Sequence, residues 1–205
     1  GLILECRDVW RAFGGVQALR GVNLDVKQGE ILGLVGPNGS GKTTLINVIS
    51  GHYRADRGEV LLGGQPIQAL TAHEVHRLGI ARTYQIPRPF MHLSVLDNVA
   101  LAARFGAGRP DRATADLEAR HWLDYAGLAA RANDLPSLLN LHERKFLELA
   151  RALAARPRLL LLDEVLSGLN PPEIESALTL IREIRASGTS IVFVEHLMRA
   201  VVELS

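Results

Sequence analysis

The chain has 205 residues, of which 47% are hydrophobic and 22% are charged, and its formal net charge is +1. This length suits one sizeable core with a small appended subdomain, and the near-balanced charge argues against a nucleic acid as the main partner. The single cysteine, Cys6, excludes an internal disulfide and is expected to be a small buried apolar residue. The apolar runs are far shorter than the roughly 18 residues that a membrane helix requires.

Strand patterns come first along the chain. Alternating apolar and polar residues predict half-exposed strands over residues 2–10 and 22–26. Residues 31–35, 159–162 and 191–194 are apolar throughout or nearly so. Such continuous runs are typical of the buried strands of a parallel sheet, and we expect the first of them to lie in a central position.

Helical patterns alternate with these strands and end at a glycine or before a proline. They predict helices over residues 42–50, 94–105, 113–126, 143–155 and 171–186. The alternation of strands and helices indicates an α/β fold with a mainly parallel sheet.

The middle of the chain contains no strand-like run. We therefore expect residues 86–156 to form a helical subdomain inserted into a nucleotide-binding core. That core would consist of residues 1–85, which include an N-terminal β subdomain, and residues 157–205.

A glycine-rich loop follows the first buried run. It satisfies the pattern G-x-x-x-x-G-K-[ST] with Gly36, Pro37, Asn38, Gly39, Ser40, Gly41, Lys42 and Thr43. Glycines allow successive backbone N–H groups to turn toward one phosphate, and the following helix directs its positive end at the same anion. Lys42 would reach the β- and γ-phosphates, and the Thr43 hydroxyl would bind Mg²⁺. The sequence therefore predicts a nucleotide-phosphate site, and we include Thr44 among its contacts.

An acidic pair, Asp163 and Glu164, follows the four leucines of residues 159–162. A buried strand carries such residues to the C-terminal edge of the sheet, where α/β folds bind ligands. Asp163 would hold Mg²⁺ through water, and Glu164 would orient or deprotonate the attacking water. Such a pair alone can simply cap the next helix, but its combination with the glycine-rich loop favours nucleotide hydrolysis.

With the glycine-rich loop and the acidic pair in this order, the chain resembles the ATP-binding subunits of ABC transporters over essentially its whole length. Gln85 matches the glutamine that couples Mg²⁺ and the attacking water to the membrane subunit, and His196 matches the switch histidine that contacts the γ-phosphate. Phe13 occupies the place of the aromatic residue that stacks on adenine, although Trp10 is close and a core role for Phe13 stays open. The segment that crosses the dimer interface in the family is matched by Ser167, Gly168, Leu169 and Asn170.

The resemblance implies a P-loop NTPase (RecA-like) core with an antiparallel β subdomain and an inserted α-helical subdomain. It implies ATPase activity with ATP and Mg²⁺, in which Thr43, Gln85 and Asp163 position the metal between two domains that sandwich two nucleotides. The implied partners are a second homologous ATPase subunit, membrane permease subunits and, indirectly, an extracytoplasmic solute-binding protein. The implied location is the cytoplasmic face of a bacterial plasma membrane. Family members continue well past the position of His196, so a C-terminal family segment is expected to be missing here.

The family's signature, Leu-Ser-x-Gly followed by Gln or Glu, is degenerate in this chain. After Leu139 the matching residues are Asn140, Leu141, His142 and Glu143. In the family, the serine and the glycine of this signature bind the γ-phosphate held by the other subunit. A side chain at position 142 hinders the close approach that glycine permits, whereas Asn140 can still donate a hydrogen bond and a charged His142 can attract phosphate.

Two explanations of this departure stay open. One is a heterodimer with unequal sites. We favour it because the family's importers of branched-chain amino acids, which this chain resembles, commonly use two different ATPases. The other is a homodimer with a working variant signature.

Within the family, the likeness is strongest to the ATPases of branched-chain amino acid importers, through residues 13–19, 81–85 and 168–171. Importers of urea or short amides and lipopolysaccharide exporters have similar ATPases, so the substrate follows only by analogy. Three other functions stay open. They are a soluble ABC-type ATPase acting on nucleic acid or the ribosome, a P-loop kinase, and an ATP-binding-only member of an asymmetric dimer.

Overall fold

Two four-stranded sheets organise the chain, which we describe from a computed structural model over residues 1–84, 86–106 and 108–196. The strands are β1 (Leu2–Phe13), β2 (Val16–Lys27), β3 (Ile31–Leu34), β4 (Arg57–Leu62), β5 (Gln65–Pro66), β6 (Ile80–Arg82), β7 (Leu159–Asp163) and β8 (Ser190–Val194). The α-helices are α1 (Lys42–Ile49), α2 (Ala72–Arg77), α3 (Val95–Phe105), α4 (Arg112–Tyr125), α5 (Leu141–Ala154) and α6 (Pro171–Ala186).

One sheet is antiparallel, with the order β2-β1-β4-β5, and the other has the order β3-β8-β7-β6 with all its pairs parallel. The predicted antiparallel β subdomain and parallel core are therefore both present. Among the described residues, β3 lies at an edge of the parallel sheet, so the prediction of a central position for it is wrong there. Its residues 32–34 are only half-buried, because β8 covers one flank alone.

Both faces of the parallel sheet are buried, as its apolar runs predict. Side chains alternate along a strand, so Leu160 and Leu162 of β7 pack on the side of α3 to α6, whereas Leu159 and Leu161 pack with α1 and the antiparallel sheet. Phe193 of β8 follows the same alternation and lies on the helical side.

The helices between β6 and β7 pack against one another, with contacts between α3, α4 and α5. Side-chain caps define their starts: Ser94 begins α3, Asp111 begins α4 and Asn140 begins α5, each accepting a hydrogen bond from a backbone N–H three residues on. The α5 helix begins two residues earlier than predicted, since the Asn140 cap is completed by the side chain of Glu143. The boundaries of a helical subdomain at 86 and 156 stay a prediction.

No helix within the described ranges combines the length and the apolar character needed to cross a bilayer.

Candidate functional site

Three loops leave the same edge of the parallel sheet. Because β3 pairs with β8 and β8 with β7, all in parallel, the residues that follow these three strands meet at their carboxyl ends. The glycine-rich loop follows β3, the acidic pair lies at the end of β7, and His196 lies just past β8. The contact between Glu164 and His196 confirms that the ends of β7 and β8 meet at this edge.

The glycine-rich loop depends on glycine where it enters α1. Gly41 has φ +90°, and a Cβ at this residue would lie 2.6 Å from the carbonyl oxygen of Ala18. Both the backbone conformation and the close approach of β2 therefore exclude a side chain. The start of α1 has no side-chain cap, so the N–H groups of its first turn have no acceptor from a capping side chain.

The ammonium group of Lys42 lies inside the curve of this loop. It donates hydrogen bonds to the carbonyl oxygens of Gly36, at 2.6 Å, and Pro37, at 2.8 Å, and to the hydroxyl of Ser40, at 3.1 Å. A cation and the positive end of a helix are thus directed to one place, which is the requirement for binding a phosphate.

The carboxyl group of Asp163 is buried at the end of β7, with the residue 3% exposed. Burial raises its pKa, and the nearby guanidinium of Arg82 partly offsets this effect. Nη2 of Arg82 lies 3.6 Å from Oδ2 of Asp163, and Nη1 donates to Oδ1 of Asn47 at 2.6 Å. Arg82 therefore connects the end of β7 to helix α1.

Glu164 stands next to Asp163 in an unusual conformation. Its φ is +52°, in the left-handed region that is rare for residues other than glycine. Oε1 of Glu164 lies 2.7 Å from Nε2 of His196, so the structure brings the predicted catalytic carboxylate and the predicted switch histidine into direct contact.

A family model described as ABC transporter matches residues 19–167 of the chain. The chain belongs to this family. It is accordingly an ATP-binding and ATP-hydrolysing cassette, as the loop and the acidic pair predict.

Relatives match along almost the whole chain. The high-affinity branched-chain amino acid transport ATP-binding protein BraF of Pseudomonas aeruginosa is 35% identical over 218 residues, which cover 99% of this chain and 85% of that protein. The probable branched-chain amino acid transport ATP-binding protein LivG of Archaeoglobus fulgidus is 36% identical, with coverages of 98% and 82%. The ribose import ATP-binding protein RbsA 1 of Rubrobacter xylanophilus is 35% identical, and the match spans 98% of this chain and 41% of that protein.

Solved structures confirm the predicted fold. The ADP conformation of MJ1267, an ATP-binding cassette of an ABC transporter, superposes with a TM-score of 0.88 at 28% identity and covers 100% of this chain and 85% of its own. The dimeric post-hydrolysis state of the ATP-binding cassette MJ0796, bound to ADP and Pi, gives a TM-score of 0.86 at 26% identity, with coverages of 97% and 90%.

The cassette presents an aromatic cluster at the end of β1. Phe13 is 39% exposed, which excludes a core role for it, and its ring meets that of Tyr53 edge-on with centroids 5.0 Å apart. The guanidinium of Arg11 lies 4.7 Å from the Phe13 centroid. Trp10 is half-buried, and its indole N–H donates to Asp8 at 2.7 Å. Of the two aromatic candidates for adenine stacking, Phe13 is therefore the one with an open surface.

The residues predicted to be a degenerate signature lie at the start of α5. Oδ1 of Asn140 accepts the N–H of Glu143 at 2.8 Å, and the Glu143 carboxylate accepts the N–H of Asn140 at 2.9 Å. Leu141 is 55% exposed. The imidazole of His142 packs on the ring of Phe146, with centroids 4.4 Å apart, and its Nδ1 lies 3.7 Å from Oε1 of Glu173.

The predicted interface segment connects Glu164 to α6. Gly168 adopts φ +77°, and Asn170 caps α6 through a reciprocal pair of hydrogen bonds with Glu173. The carbonyl oxygen of Ser167 accepts a hydrogen bond from Lys145 of α5. The predicted role of Gln85 lies outside the described residues.

Sequence reasoning did not single out Arg82, Lys145 or Glu195 as site residues. A signal existed for Glu195, since it is a charged residue directly after the apolar run of residues 191–194. Arg82 gave no such signal because its strand has only three residues, and Lys145 gave none because it lies on a helix rich in charged residues.

Proposed function

We propose that this cassette hydrolyses Mg-ATP as one of two ATPase subunits and so powers a membrane importer of branched-chain amino acids or a related small polar solute. The observation that carries the proposal is the contact between Glu164 and His196, at the ends of adjacent strands beside the phosphate-binding loop. Such an arrangement supports hydrolysis as well as binding, because it supplies a base for water and a polar group for the reacting phosphate.

Phosphate binding would fall to the loop and to α1. Lys42 would exchange its hydrogen bonds with the loop carbonyls for the β- and γ-phosphate oxygens, while the amides of Gly39 to Lys42 and the first turn of α1, with Thr43 and Thr44, would surround the anion. Phe13 would cover the adenine with its exposed ring face.

The oxygen donors near the loop fit Mg²⁺ bound together with the nucleotide. Mg²⁺ is usually held by one or two carboxylates, waters and substrate phosphates. Asp163 supplies a buried carboxylate and Thr43 a hydroxyl, while no cluster of three or more histidine, cysteine, aspartate or glutamate residues in the described ranges could hold a metal. When bound, the ion would neutralise charge on the phosphate oxygens.

Hydrolysis would depend on Glu164. Its carboxylate would orient the attacking water and receive the proton of that water, while His196 would donate a hydrogen bond to the γ-phosphate. The left-handed backbone at Glu164 holds the carboxylate at the end of β7 next to β8. The family resemblance assigns Gln85 to the link between this site and the membrane subunit.

A second, different ATPase subunit is the partner that the start of α5 favours. The His142 ring stands where a glycine would leave the backbone open. This side chain makes the helix start a poor phosphate site for another subunit. The chain's own loop would then pair with an intact signature on the partner.

The permease would dock beside the helices that follow β6. A cavity of about 440 Å³ lies between α2, β6, α3 and α5, and the exposed aromatic rings of Phe90 and Phe105 line it. Arg88 adds positive charge to its wall, where Arg151 is paired with Glu148. This combination suits an amphipathic helix from a membrane subunit at the cytoplasmic face. A solute-binding protein would act through that permease.

The substrate class rests on the relatives. BraF and LivG are named for branched-chain amino acid transport, and we extend that function to this cassette. Similarity to the ribose import protein RbsA 1 makes a sugar importer the second candidate.

The test is steady-state ATPase activity of the purified chain against protein concentration, with Glu164→Gln as the control. Glu164→Gln should keep binding a fluorescent ATP analogue while turnover falls by about a hundred-fold or more. Unchanged turnover in this variant would overturn the assignment of Glu164. Activity that rises steeply with concentration would instead mean a competent homodimer, and ATP binding without turnover would mean that the partner subunit is required or that the chain only binds ATP.

A further inference from the structure

One buried carboxylate next to the site has no part in the chemistry described above. Glu195 follows β8 and is 2% exposed. Its Oε1 accepts the backbone N–H of Leu166 at 2.8 Å. Burial raises the pKa of Glu195, while the N–H groups of Leu166 and His196 favour its ionised form. A buried carboxyl is costly, so its presence needs a reason.

The hydrogen bond to Leu166 fixes the turn that carries Glu164. The N–H of Glu164 donates to the carbonyl oxygen of Val194 at 2.9 Å, and Glu195 then accepts from Leu166 two residues further on. Two consecutive residues at the end of β8 thus hold both sides of the turn. Because Glu164 adopts φ +52°, its conformation costs energy and depends on such support.

A lysine from α5 completes the arrangement. The ammonium of Lys145 donates to the carbonyl oxygen of Ser167, in the same turn. Burial lowers the pKa of Lys145, and the negative charges of Glu195 and Glu164 act in the opposite direction and favour its charged form. The lysine lies five residues after Asn140, about one turn from the start of α5.

We propose that Glu195 is a positioning residue for Glu164 and that Lys145 links this support to the start of α5. Glu195 would act twice: its oxygen holds the Leu166 amide, and its charge would attract the Lys145 ammonium, which is bound at the next residue of the same turn, Ser167. A shift of α5 would then change the position of Glu164 without any direct contact with nucleotide. The inference rests on the proposed catalytic role of Glu164.

A purely structural role for Glu195 predicts something different. It would require only an acceptor for the Leu166 N–H, and Glu195→Gln provides one while it removes the charge. The positioning role requires the charge as well, since an amide does not attract an ammonium group as a carboxylate does.

The experiment compares Glu195→Gln, Glu195→Ala and Lys145→Met with the exposed control Glu183→Gln on α6. Hydrogen exchange of the peptide covering residues 163–169 reports how firmly Glu195 and Lys145 hold this turn, and ATPase kinetics report the effect on turnover. We expect faster exchange of the Leu166 amide in Glu195→Ala, by about ten-fold or more, because a buried hydrogen bond is lost. In Glu195→Gln and Lys145→Met, kcat should fall about ten-fold with KM for ATP within about two-fold.

The double variant Glu195→Gln/Lys145→Met should be no slower than Lys145→Met alone, since the two residues act as one unit. Wild-type kcat in Glu195→Gln, or additive losses in the double variant, would overturn the link to Lys145. An unchanged Leu166 exchange rate in Glu195→Ala would overturn the proposal that Glu195 holds this turn.

If the wild-type chain alone shows no ATP turnover, that result counts against the proposed function and not against this inference. In that case hydrogen exchange tests the inference by itself. Faster exchange over residues 163–169 in Lys145→Met supports the link between Lys145 and the turn, and unchanged exchange refutes it.

Discussion

Nε2 of His196 lies 2.7 Å from Oε1 of Glu164, although the two residues are 32 positions apart in the chain. Adjacent parallel strands end next to each other. Glu164 directly follows β7 and His196 lies two residues past the end of β8, so the two side chains meet. The histidine thereby fixes the orientation of the carboxylate. Because the two side chains are in contact, the proposed roles of the two residues should be tested separately.

His196→Ala removes the partner of Glu164 and the proposed donor to the γ-phosphate. We expect kcat to fall by about a hundred-fold, the usual effect of losing one such polar group, while affinity for a fluorescent ATP analogue stays within about three-fold. The exposed His121 on α4 provides a matched control, and His121→Ala should retain wild-type kcat. Equal losses in both variants would mean that the effect is not specific to the site.

Arg82→Met leaves Asp163 buried without its counter-ion. Breaking such a pair should lower the free energy of unfolding by about 3–5 kcal/mol at neutral pH, measured by urea denaturation. Arg82→Met/Asp163→Asn should recover part of this loss, because no unpaired charge then remains. A double variant that is less stable than Arg82→Met would contradict this account.

The loss in Arg82→Met should also depend on pH. Burial raises the pKa of Asp163 in the folded state, so folding favours its protonated form and the ionised form costs stability. This cost is present above the folded-state pKa and disappears as pH falls toward the ordinary carboxyl value of about 4. The difference between wild type and Arg82→Met should therefore shrink on acidification, and a constant difference would contradict the assignment to Asp163.

Cys6 should resist alkylation in the folded protein. Its side chain lies in the core at 1% exposure, and burial raises the pKa of the thiol to about 12. At pH 8 only about one thiol in ten thousand is then ionised, and reagent cannot reach it without local opening. Iodoacetamide labelling followed by mass spectrometry should show almost no adduct in buffer and full reaction in denaturant. Rapid labelling in buffer would mean that β1 opens readily.

The sequence predicts those parts of the fold whose signals are local. The runs that become β7 and β8 are continuously apolar, and α6 begins and ends as predicted because Pro171 and Gly188 mark its limits. The sequence patterns do not predict β4, β5, α2 or β6. These segments are short, and their conformations depend on pairing with β1 and β7 rather than on their own patterns.

The site residues also differ in whether their signals are local in the sequence. Residues inside a continuous motif, such as Lys42 or Asp163, could be predicted because the motif carries its own chemistry. Arg82 and Glu195 could not be assigned, because their partners Asp163 and Leu166 are brought near only by the tertiary fold. The approach of His142 to Glu173 likewise depends on how α5 and α6 pack.

Restoring the family's signature should decide between the two dimer hypotheses. In Asn140→Ser/His142→Gly, serine still caps α5, and the glycine reopens the backbone at the helix start. The glycine should cost about 0.5–1 kcal/mol of stability, so a slightly lower Tm is expected.

If the wild-type chain lacks a competent partner signature, this double variant supplies one from a second copy of itself. ATPase activity should then rise about ten-fold or more and depend steeply on protein concentration. If the wild-type signature already works in a homodimer, activity should change little. Asn140→Ser alone keeps the cap and leaves His142 in place, so it should not produce the gain. Adding Glu164→Gln must abolish any gain, because the new activity would use the same carboxylate.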